Sequence, residues 1–365
     1  MSPDEKLKLI TRNLEEVLTE EELTSLIESG TPLKHYIGFE ISGKVHLGTG
    51  LATLLKVKDL HEAGAETVIW LADWHGWINN KLDGTLETAQ RMAREYFAEA
   101  MKAAYLCIGG DPETLIFKQG SELYKEKPEF WATTIKVAKV TTIARMMRST
   151  TIMGRQAGES SDTASLFYPA MQAADIFTLG VNIAHAGTDQ RNVHIVARDA
   201  AKDLGKVKPI AIHHHLLQGL LQPVFTTDES GKKVLDPEAA KMSKSKPDSA
   251  VFIHDSPDQI QRKINNAFAP EGDINFNPIL DWTKHLVFVL NSELVVQRKP
   301  EHGGKVSYNS YEDLEKDYAD KKLHPQDLKN AVAEWLIKKL EPARIYFEDP
   351  KRKKALEEIE KLTSK

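Results

Sequence analysis

The chain has 365 residues, of which 41% are hydrophobic and 28% are charged. This composition is typical of a globular protein, and the length favours two domains because single cores rarely grow beyond about 250–300 residues. The net charge of −5 argues against indiscriminate nucleic-acid binding, although it permits a local basic face.

The sequence also indicates a location. No apolar run approaches the roughly 20 residues that a membrane span needs, and the charged start Met1–Lys6 is unlike a secretory signal. The single cysteine, Cys107, excludes an intrachain disulfide and leaves no cysteine cluster for zinc. We therefore expect a cytoplasmic protein that does not span a membrane.

Hydrophobic patterning predicts the elements of the first two hundred residues. The start of the chain is predicted as a helix pair, from apolar residues at Leu7, Ile10, Leu14, Val17 and Leu18. Strands and helices then alternate, which predicts an α/β fold with a Rossmann-like, doubly wound parallel sheet. The elements are a strand at Tyr36–Glu40, a helix over 48–64, a strand at Thr67–Leu71, a helix over about 85–106 and a strand at 114–117.

A helical insertion near 128–158 interrupts this pattern, which resumes at Tyr168 and ends with a strand at 209–212. From about residue 260 amphipathic helices dominate, including 325–340, with one strand signal at 294–297. The predicted domains are N-terminal helices at 1–34, a Rossmann-like α/β domain with the insertion at 35–225, a connector at 226–262 and an all-α C-terminal domain at 263–365.

Two segments far apart in the sequence have residues that suit the binding of phosphate groups. Lys241–Ser245 (KMSKS) places two lysines on a loop with small neighbours, and lysine is a compact charge on a flexible stem that suits a polyphosphate. Taken alone, such a loop would be a solvated basic surface. Ser42–Thr49 (SGKVHLGT) follows a strand and opens a helix, where backbone N–H groups and the helix dipole face an anion.

Together these segments resemble the "HIGH" and "KMSKS" motifs of class I aminoacyl-tRNA synthetases. The second motif matches at every position, whereas Thr49 stands where the first ends in a second histidine. The resemblance implies catalytic roles for His46, Thr49, Lys241 and Lys244. It also implies an ATP site formed by His46, Gly48, Thr49, Lys241, Met242, Ser243, Lys244 and Ser245.

A different enzyme class competes for the same glycines. Gly48 and Gly50 partly fit the dinucleotide fingerprint, but Thr53 replaces its third glycine. A nicotinamide-dependent oxidoreductase is therefore a remote alternative, which leaves the lysine loop and the helical domain unexplained.

Three polar residues recur on one helical face. Tyr168, Gln172 and Asp175 are spaced at i, i+4 and i+7 among apolar neighbours. Buried polar groups need partners, so this row binds either a neighbouring strand or a ligand. The residues alone leave both interpretations open.

The resemblance narrows to tyrosyl-tRNA synthetases of the archaeal and eukaryotic type, through the segments His35–Glu40, Tyr168–Ile176 and Gly187–Arg191. It implies that Tyr36 and Asp175 contact the phenol of L-tyrosine. It implies that Tyr168, Gln172 and Gln190 contact the ammonium group. A tryptophanyl enzyme of the same fold is the nearer alternative, although Tyr36 and Asp175 suit a phenol better than an indole.

The remaining histidines are ambiguous. His75 follows a predicted strand and either lines the pocket or is structural, while Asp73 beside it helps to organise the site. The run His213–His215 is interpreted as a strand end, since consecutive residues do not readily converge on one ion. No metal site is predicted.

An acidic protein must concentrate its basic residues to hold RNA. The resemblance implies that Arg148 and Arg191 approach the acceptor stem of the tRNA, and that His324 and Asp327 contact the anticodon, with a weaker expectation for His302. His324–Asp327 is also a good helix start, with Pro325 in the first turn.

The resemblance thus implies a ligase that activates L-tyrosine with ATP and Mg²⁺ and transfers it to tRNA(Tyr). No tightly bound cofactor, DNA or membrane partner is expected. The family implies a homodimer with its interface near residues 130–155.

Overall fold

The computed structural model describes residues 1–153, 162–227, 233–235, 242 and 246–363. Six strands form the central sheet: β1 Leu14–Leu18, β2 Lys34–Glu40, β3 Glu66–Ala72, β4 Ile116–Gln119, β5 Ile183–Gly187 and β6 Ile210–His214. Their order is β1-β6-β5-β2-β3-β4, and all neighbours are parallel except β1, which is antiparallel to β6. The predicted doubly wound sheet is confirmed.

Helices cover both faces of this sheet. They are α1 Pro3–Thr11, α2 Glu20–Glu28, α3 Thr53–Glu62, α4 Asp73–Ile78, α5 Leu86–Met92, α6 Glu99–Cys107, α7 Gly120–Glu126, α8 Glu129–Val140, α9 Ile143–Ser149, α10 Tyr168–Leu179 and α11 Arg191–Asp203. Successive side chains of a strand point to opposite faces of the sheet, so β3 contributes residues to two hydrophobic cores. Ile69 and Leu71 join one with α3 and α6, while Val68 and Trp70 join another with α10 and α11.

The strand order places a crevice at the middle of the sheet. From β2 the chain proceeds to β3 and β4 on one side, and later to β5 and β6 on the other. Open α/β sheets bind ligands where the order reverses, beyond the carboxyl ends of the strands. The carboxyl ends of β2 and β5 therefore mark the expected site.

The prediction of a helix pair at the N-terminus is wrong for the segment that lies between the two helices. Leu14–Leu18 forms β1, which completes the sheet by pairing with β6. Asn13 has φ 57°, a left-handed conformation that asparagine tolerates and that ends α1. This segment forms a strand because it pairs with the edge of β6, which lies far along the chain. No local sequence pattern reveals that pairing.

Two smaller differences have local causes. The strand predicted at 114–117 begins at Ile116, because Asp111 caps a 3₁₀ turn over Pro112–Thr114. The helical insertion is confirmed over α8 and α9, while residues 154–161 lie outside the described part of the chain.

The C-terminal part is mainly helical. Its helices are α12 Pro257–Asn265, α13 Pro278–Trp282, α14 Phe288–Leu290, α15 Tyr311–Ala319, α16 Pro325–Lys339, α17 Glu341–Tyr346 and α18 Pro350–Thr363. It also contains an antiparallel pair, β9 Leu294–Val296 with β10 Val306–Tyr308, of which the second strand was not predicted. A further pair, β7 Phe225–Thr227 with β8 Lys233–Leu235, lies in the connector.

The last helix, α18, contacts the part of the chain that contains the central sheet. Arg352 donates to Glu99 at 2.8 Å, and Lys44 donates to Glu360 at 2.9 Å.

The predicted domain boundaries stay predictions. No helix among the described residues has the length and apolar character needed to cross a membrane.

Candidate active site

A cleft of about 620 Å³ opens at the carboxyl ends of the parallel strands. Each parallel strand except the edge strand β4 supplies lining residues, and so does α10. Among the residues that line it are Tyr36, Glu40, His46, Gly48, Thr49, Trp70, His75, Tyr168, Gln172, Asp175, Gln190 and Met242. The structure thus brings every predicted tyrosine-binding residue, and the described residues of the predicted ATP site, to one cavity.

Strand β2 forms the floor of this cleft. Tyr36, Gly38 and Glu40 alternate along one face of the strand. A Cβ at Gly38 would lie 3.3 Å from the ring of Trp70 and 3.4 Å from that of Tyr36. Gly38 is nevertheless exposed and lines the cleft, so the strand leaves open space between two polar residues whose Cα atoms are about 13 Å apart along the strand.

Helix α10 forms a second polar row. Tyr168, Gln172 and Asp175 face the cleft from one side of the helix. The hydroxyl of Tyr168 donates to Glu40 at 3.2 Å, and the charge of Asp175 acts on Tyr36. The two rows therefore create an Asp175 end and a Glu40 end with the open space between them.

Asp175 lies at the closed end and is 1% exposed. The hydroxyl of Tyr124 donates to its Oδ1 at 2.8 Å, and the indole of Trp70 donates to its Oδ2 at 3.1 Å. Burial raises the pKa of the Asp175 carboxyl well above its usual range, and these two donors offset only part of that rise. Burial also raises the pKa of the Tyr36 phenol, and the charge of Asp175 adds to the effect. Tyr36 is therefore a neutral hydroxyl.

The opposite end suits a cation. Glu40 accepts from the Nδ2 of Asn79 at 2.7 Å as well as from Tyr168. Gln172 donates to the Oε1 of Gln190 at 3.4 Å, and Gln190 donates to the carbonyl of Ile152 at 3.1 Å. Oxygen acceptors with one carboxylate are the groups that an ammonium requires.

His75 stands beside the closed end. Its ring meets that of Tyr168 edge-on at 4.5 Å, and its Nε2 lies 3.7 Å from Asp175. Burial lowers the pKa of His75 to about 4, so the imidazole is neutral near pH 7. Asp73 does not line the cleft; it accepts from Gln119 at 2.8 Å and from the backbone of Ser121 at 3.1 Å. It therefore organises the wall behind the pocket.

The glycine-rich turn forms the neighbouring part of the cleft. The Thr49 backbone donates to Nδ1 of His46 at 3.3 Å, and its hydroxyl lies 3.3 Å from Nε2. A Cβ at Gly48 would lie 3.2 Å from the His46 ring, whereas one at Gly50 would lie 3.1 Å from Val45, Ala104 and Ile253. Gly50 thus serves packing inside the protein, which accounts for a glycine at this position without a dinucleotide site.

The segment after the lysine loop is tied to this turn. Leu47 donates to the carbonyl of Val251 at 3.0 Å, and Ile253 donates to that of Val45 at 3.1 Å. Met242 is buried and lines the cleft. Its sulfur lies 3.8 Å from the Cβ position of Gly48. The other members of the motif, Lys241, Ser243, Lys244 and Ser245, lie outside the described residues.

The histidine run ends β6, as predicted. His215 and His285, with Glu15, offer ligand atoms within 4.8 Å of one another. However, Glu15 and Asp281 lie 2.9 and 2.7 Å from the two ring nitrogens of His215. Both nitrogens of His215 are therefore engaged in an ion-pair network that joins three parts of the chain.

The residues predicted to contact tRNA lie outside the cleft. Arg148 is exposed on α9, and Arg191 begins α11, where its Nε donates to Glu16 at 2.8 Å. His324 caps α16 by accepting from the backbone of Gln326, and Asp327 lies in the first turn. The interpretation of this segment as a helix start is thus confirmed. His302 lies in a short 3₁₀ turn.

The comparisons with known proteins agree with this geometry. A family model described as tRNA synthetases class I (W and Y) matches residues 28–341. A tyrosine–tRNA ligase of Thermococcus sibiricus is 51% identical over 360 residues, which cover 95% of this chain and 96% of the relative. The chain belongs to the tyrosine–tRNA ligase family.

A further tyrosine–tRNA ligase, from Pyrococcus abyssi, is 50% identical over 362 residues, with 95% of this chain and 96% of the relative covered. The crystal structure of the Pyrococcus horikoshii tyrosyl-tRNA synthetase complexed with L-tyrosine matches with a TM-score of 0.91 and 47% identity, covering 99% of this chain and 100% of that one. Family membership removes the oxidoreductase alternative.

Four polar contributors to the tyrosine–tRNA ligase cleft escaped the sequence analysis: Trp70, Tyr124, Glu40 and Asn79. Trp70 and Tyr124 resemble core aromatic residues, and only their contact with Asp175 gives them a role. Glu40 ends a segment that was noticed, and its position two residues after Gly38 on the Tyr36 face was the available signal.

The buried histidines make stability depend on pH. Burial lowers the pKa of eight of them, to about 3 for His35, His194 and His254, to about 4 for His75, His214 and His285, and in the same direction for His185 and His213. The unfolded chain binds these protons near pH 6.5, and the folded chain does not. The part of the free energy of unfolding that depends on these histidines is therefore fully present above about pH 6.5 and is lost as the pH falls toward 4. The raised pKa values of Asp73, Asp175 and His215 act oppositely, but involve three groups against eight.

We expect the melting temperature at pH 5 to lie well below that at pH 7.5. His35→Leu should reduce this difference, since one fully buried histidine contributes up to about 2 kcal/mol over that interval. His61→Leu, at a partly exposed position, is the matched control. An equal or higher melting temperature at pH 5 would contradict this role of the buried histidines.

Proposed function

We propose that the cleft holds L-tyrosine with its phenol between Tyr36 and Asp175 and its ammonium among Tyr168, Gln172 and Gln190. The supporting observation is the pair of polar rows on β2 and α10. They leave an open space above Gly38, a buried hydroxyl-and-carboxyl pair at one end and a carboxylate with Tyr168 at the other. A free amino acid with a hydroxylated side chain satisfies both ends at once.

The closed end provides the selectivity. A buried site that hydrogen-bonds a substrate hydroxyl is left with unpaired groups when the analogue lacks that hydroxyl, and tyrosyl enzymes are the established example of this rejection. Phenylalanine would offer no hydroxyl to Tyr36 and to the remaining lone pairs of Asp175, both of which are 1% exposed. We infer that tyrosine is selected by unsatisfied polar groups rather than by size.

The chain is a tyrosine–tRNA ligase, and its reaction has two steps. The tyrosine carboxylate attacks the α-phosphorus of ATP, and the bond to the β,γ-phosphates breaks to release pyrophosphate. The terminal ribose hydroxyl of the tRNA then attacks the tyrosyl carbonyl and releases AMP. No side-chain nucleophile is needed, because positioning and charge stabilisation lower both barriers.

We assign His46, Gly48 and Thr49 to the α-phosphate, since all three line the cleft beside the amino-acid end. Lys241 and Lys244, with Ser243 and Ser245, are assigned to the leaving pyrophosphate. Met242 lies in the cleft against Gly48, and this contact supports the assignment. Mg²⁺ enters as part of the ATP substrate, and no tightly bound cofactor takes part.

The tRNA contacts are proposed from position and charge. Arg148 and Arg191 would meet the acceptor stem, which requires that Arg191 shares or releases Glu16. His324, Asp327 and His302 belong to the helical part, where the anticodon is expected. A cytoplasmic location follows from this role, since ribosomes consume charged tRNA there.

A homodimer is proposed from the surface of α8 and α9. Large apolar side chains are exposed there: Trp131 39%, Ile135 55%, Val140 44%, Ile143 76% and Met147 52%. Contiguous exposed apolar residues mark interaction sites. These side chains lie within residues 130–155, where the family implies the interface, and this supports the proposal.

The function is tested by ATP–pyrophosphate exchange with each of the twenty amino acids, without tRNA. We expect exchange with tyrosine, because its hydroxyl alone satisfies the closed end, and at least about 10⁴-fold lower kcat/KM with phenylalanine. Exchange with tryptophan instead of tyrosine would overturn the pocket assignment. Absence of both exchange and tRNA charging would overturn the function.

The dimer is tested by Ile143→Glu, which places a charge at the most exposed of these side chains. We expect sedimentation equilibrium to show a shift from dimer toward monomer, since an unpaired charge in an interface is costly. Val207→Glu is the matched control, because Val207 is 69% exposed and lies elsewhere. A parent chain that sediments as a monomer would refute the proposal.

A further inference from the structure

The carboxyl group of Asp175 has its own protein donors. Trp70 and Tyr124 each occupy one of its oxygens, and both aromatic residues are almost completely buried, at 1% and 5% exposure. An ionised carboxylate has two oxygens with about four lone-pair sites and accepts only. Two of those sites are thus taken before any ligand arrives.

We propose that Trp70 and Tyr124 are positioning residues for tyrosine selection, which hold the carboxyl group of Asp175 in one orientation so that its free lone pairs accept the substrate hydroxyl. This inference rests on the proposed function of the cleft. It assigns the discrimination against phenylalanine to a four-residue unit, in which Tyr36 and Asp175 meet the substrate and Trp70 and Tyr124 act through Asp175.

The backbone fixes the position of Trp70. Strands β2 and β3 are parallel neighbours, and Gly38 is the register partner of Trp70. The indole edge lies 3.3 Å from the Cβ position of Gly38, so the absence of a side chain there admits the ring. From this place the indole N–H reaches across to α10, and the ring also lines the cleft.

Packing and a buried carboxyl fix the position of Tyr124. Its ring stacks on Phe130 with centroids 3.7 Å apart and planes 13° apart. The start of its helix, α7, is bound by Asp73 through the backbone N–H of Ser121 at 3.1 Å. A Cβ at Gly120 would lie 2.5 Å from the Oδ1 of Asp73, which shows how closely the two segments approach. Asp73 therefore holds the start of the helix that carries Tyr124.

The charge state of Asp175 depends on these donors. Hydrogen bonds to an ionised carboxyl favour ionisation, and burial opposes it. Removal of one donor leaves the carboxyl with fewer partners in a closed environment, where it protonates or rotates. In either state it is a poorer acceptor for the substrate hydroxyl. Phenylalanine has no hydroxyl, so its activation should not respond to the loss.

The test uses Trp70→Phe and Tyr124→Phe in the full chain, with ATP–pyrophosphate exchange for tyrosine and phenylalanine. We expect kcat/KM for tyrosine to fall by about 10-fold to 100-fold in each variant, as the loss of a hydrogen bond to a charged group implies. Most of this fall should appear as a higher KM for tyrosine rather than as a lower kcat. The ATP KM and kcat/KM for phenylalanine should stay within about two-fold of the parent values.

Matched controls separate this role from a general loss of packing. Tyr318→Phe removes a buried hydroxyl that donates to the carbonyl of Pro270, and Trp335→Phe removes an indole N–H that donates to Asn291, both in the helical part. Neither control should change the ratio of tyrosine to phenylalanine activation. Circular dichroism melting confirms that each variant folds, and Tyr124→Phe decides the matter if Trp70→Phe does not fold.

An unchanged tyrosine-to-phenylalanine ratio in a folded Tyr124→Phe variant would overturn the proposal. So would an equal fall for both amino acids, which would indicate a structural role only. A parent chain that fails to activate tyrosine would instead overturn the proposed function, so the two failures are distinguishable.

Discussion

A carboxyl group placed where water cannot reach it is the constraint on which this molecule depends. Asp175 is 1% exposed and must find hydrogen-bond donors within the protein or in a ligand. Trp70 supplies one donor from β3 and Tyr124 another from α7, while Tyr36 approaches from β2. The pocket is therefore an unsaturated polar network inside an apolar core, and its remaining capacity matches a phenol hydroxyl.

The sheet makes that network possible. The reversal of strand order between β2 and β5 opens a crevice, and α10 runs along it so that its polar face meets the inward face of β2. The same edge carries the turn at Gly48, where a second ligand with phosphates can approach a backbone without side chains. In the proposed assignment the amino acid and the nucleotide share one cavity, because the cleft between β2 and α10 and the turn at Gly48 lie at the same edge of the sheet.

Much of this arrangement could be predicted from the sequence. The alternation of strands and helices indicated the doubly wound sheet, and the i, i+4, i+7 row indicated the polar face of α10, since both depend on local periodicity. β1 was missed because an edge partner far along the chain decides it. Trp70 and Tyr124 were missed because a buried aromatic residue with one polar atom looks like core until its partner is located. The lysine loop was recognised from sequence, and most of it lies outside the described residues.

The most direct test of the central claim is calorimetric titration of the chain with L-tyrosine and with L-phenylalanine in the absence of ATP. If a buried carboxyl and hydroxyl pair recognises the phenol, tyrosine should bind at least about 100-fold more tightly than phenylalanine, because phenylalanine leaves the remaining hydrogen-bonding capacity of both groups unused. Dissociation constants within a few-fold of each other would show that the closed end recognises only the ring, and would contradict selection by the Tyr36 and Asp175 pair.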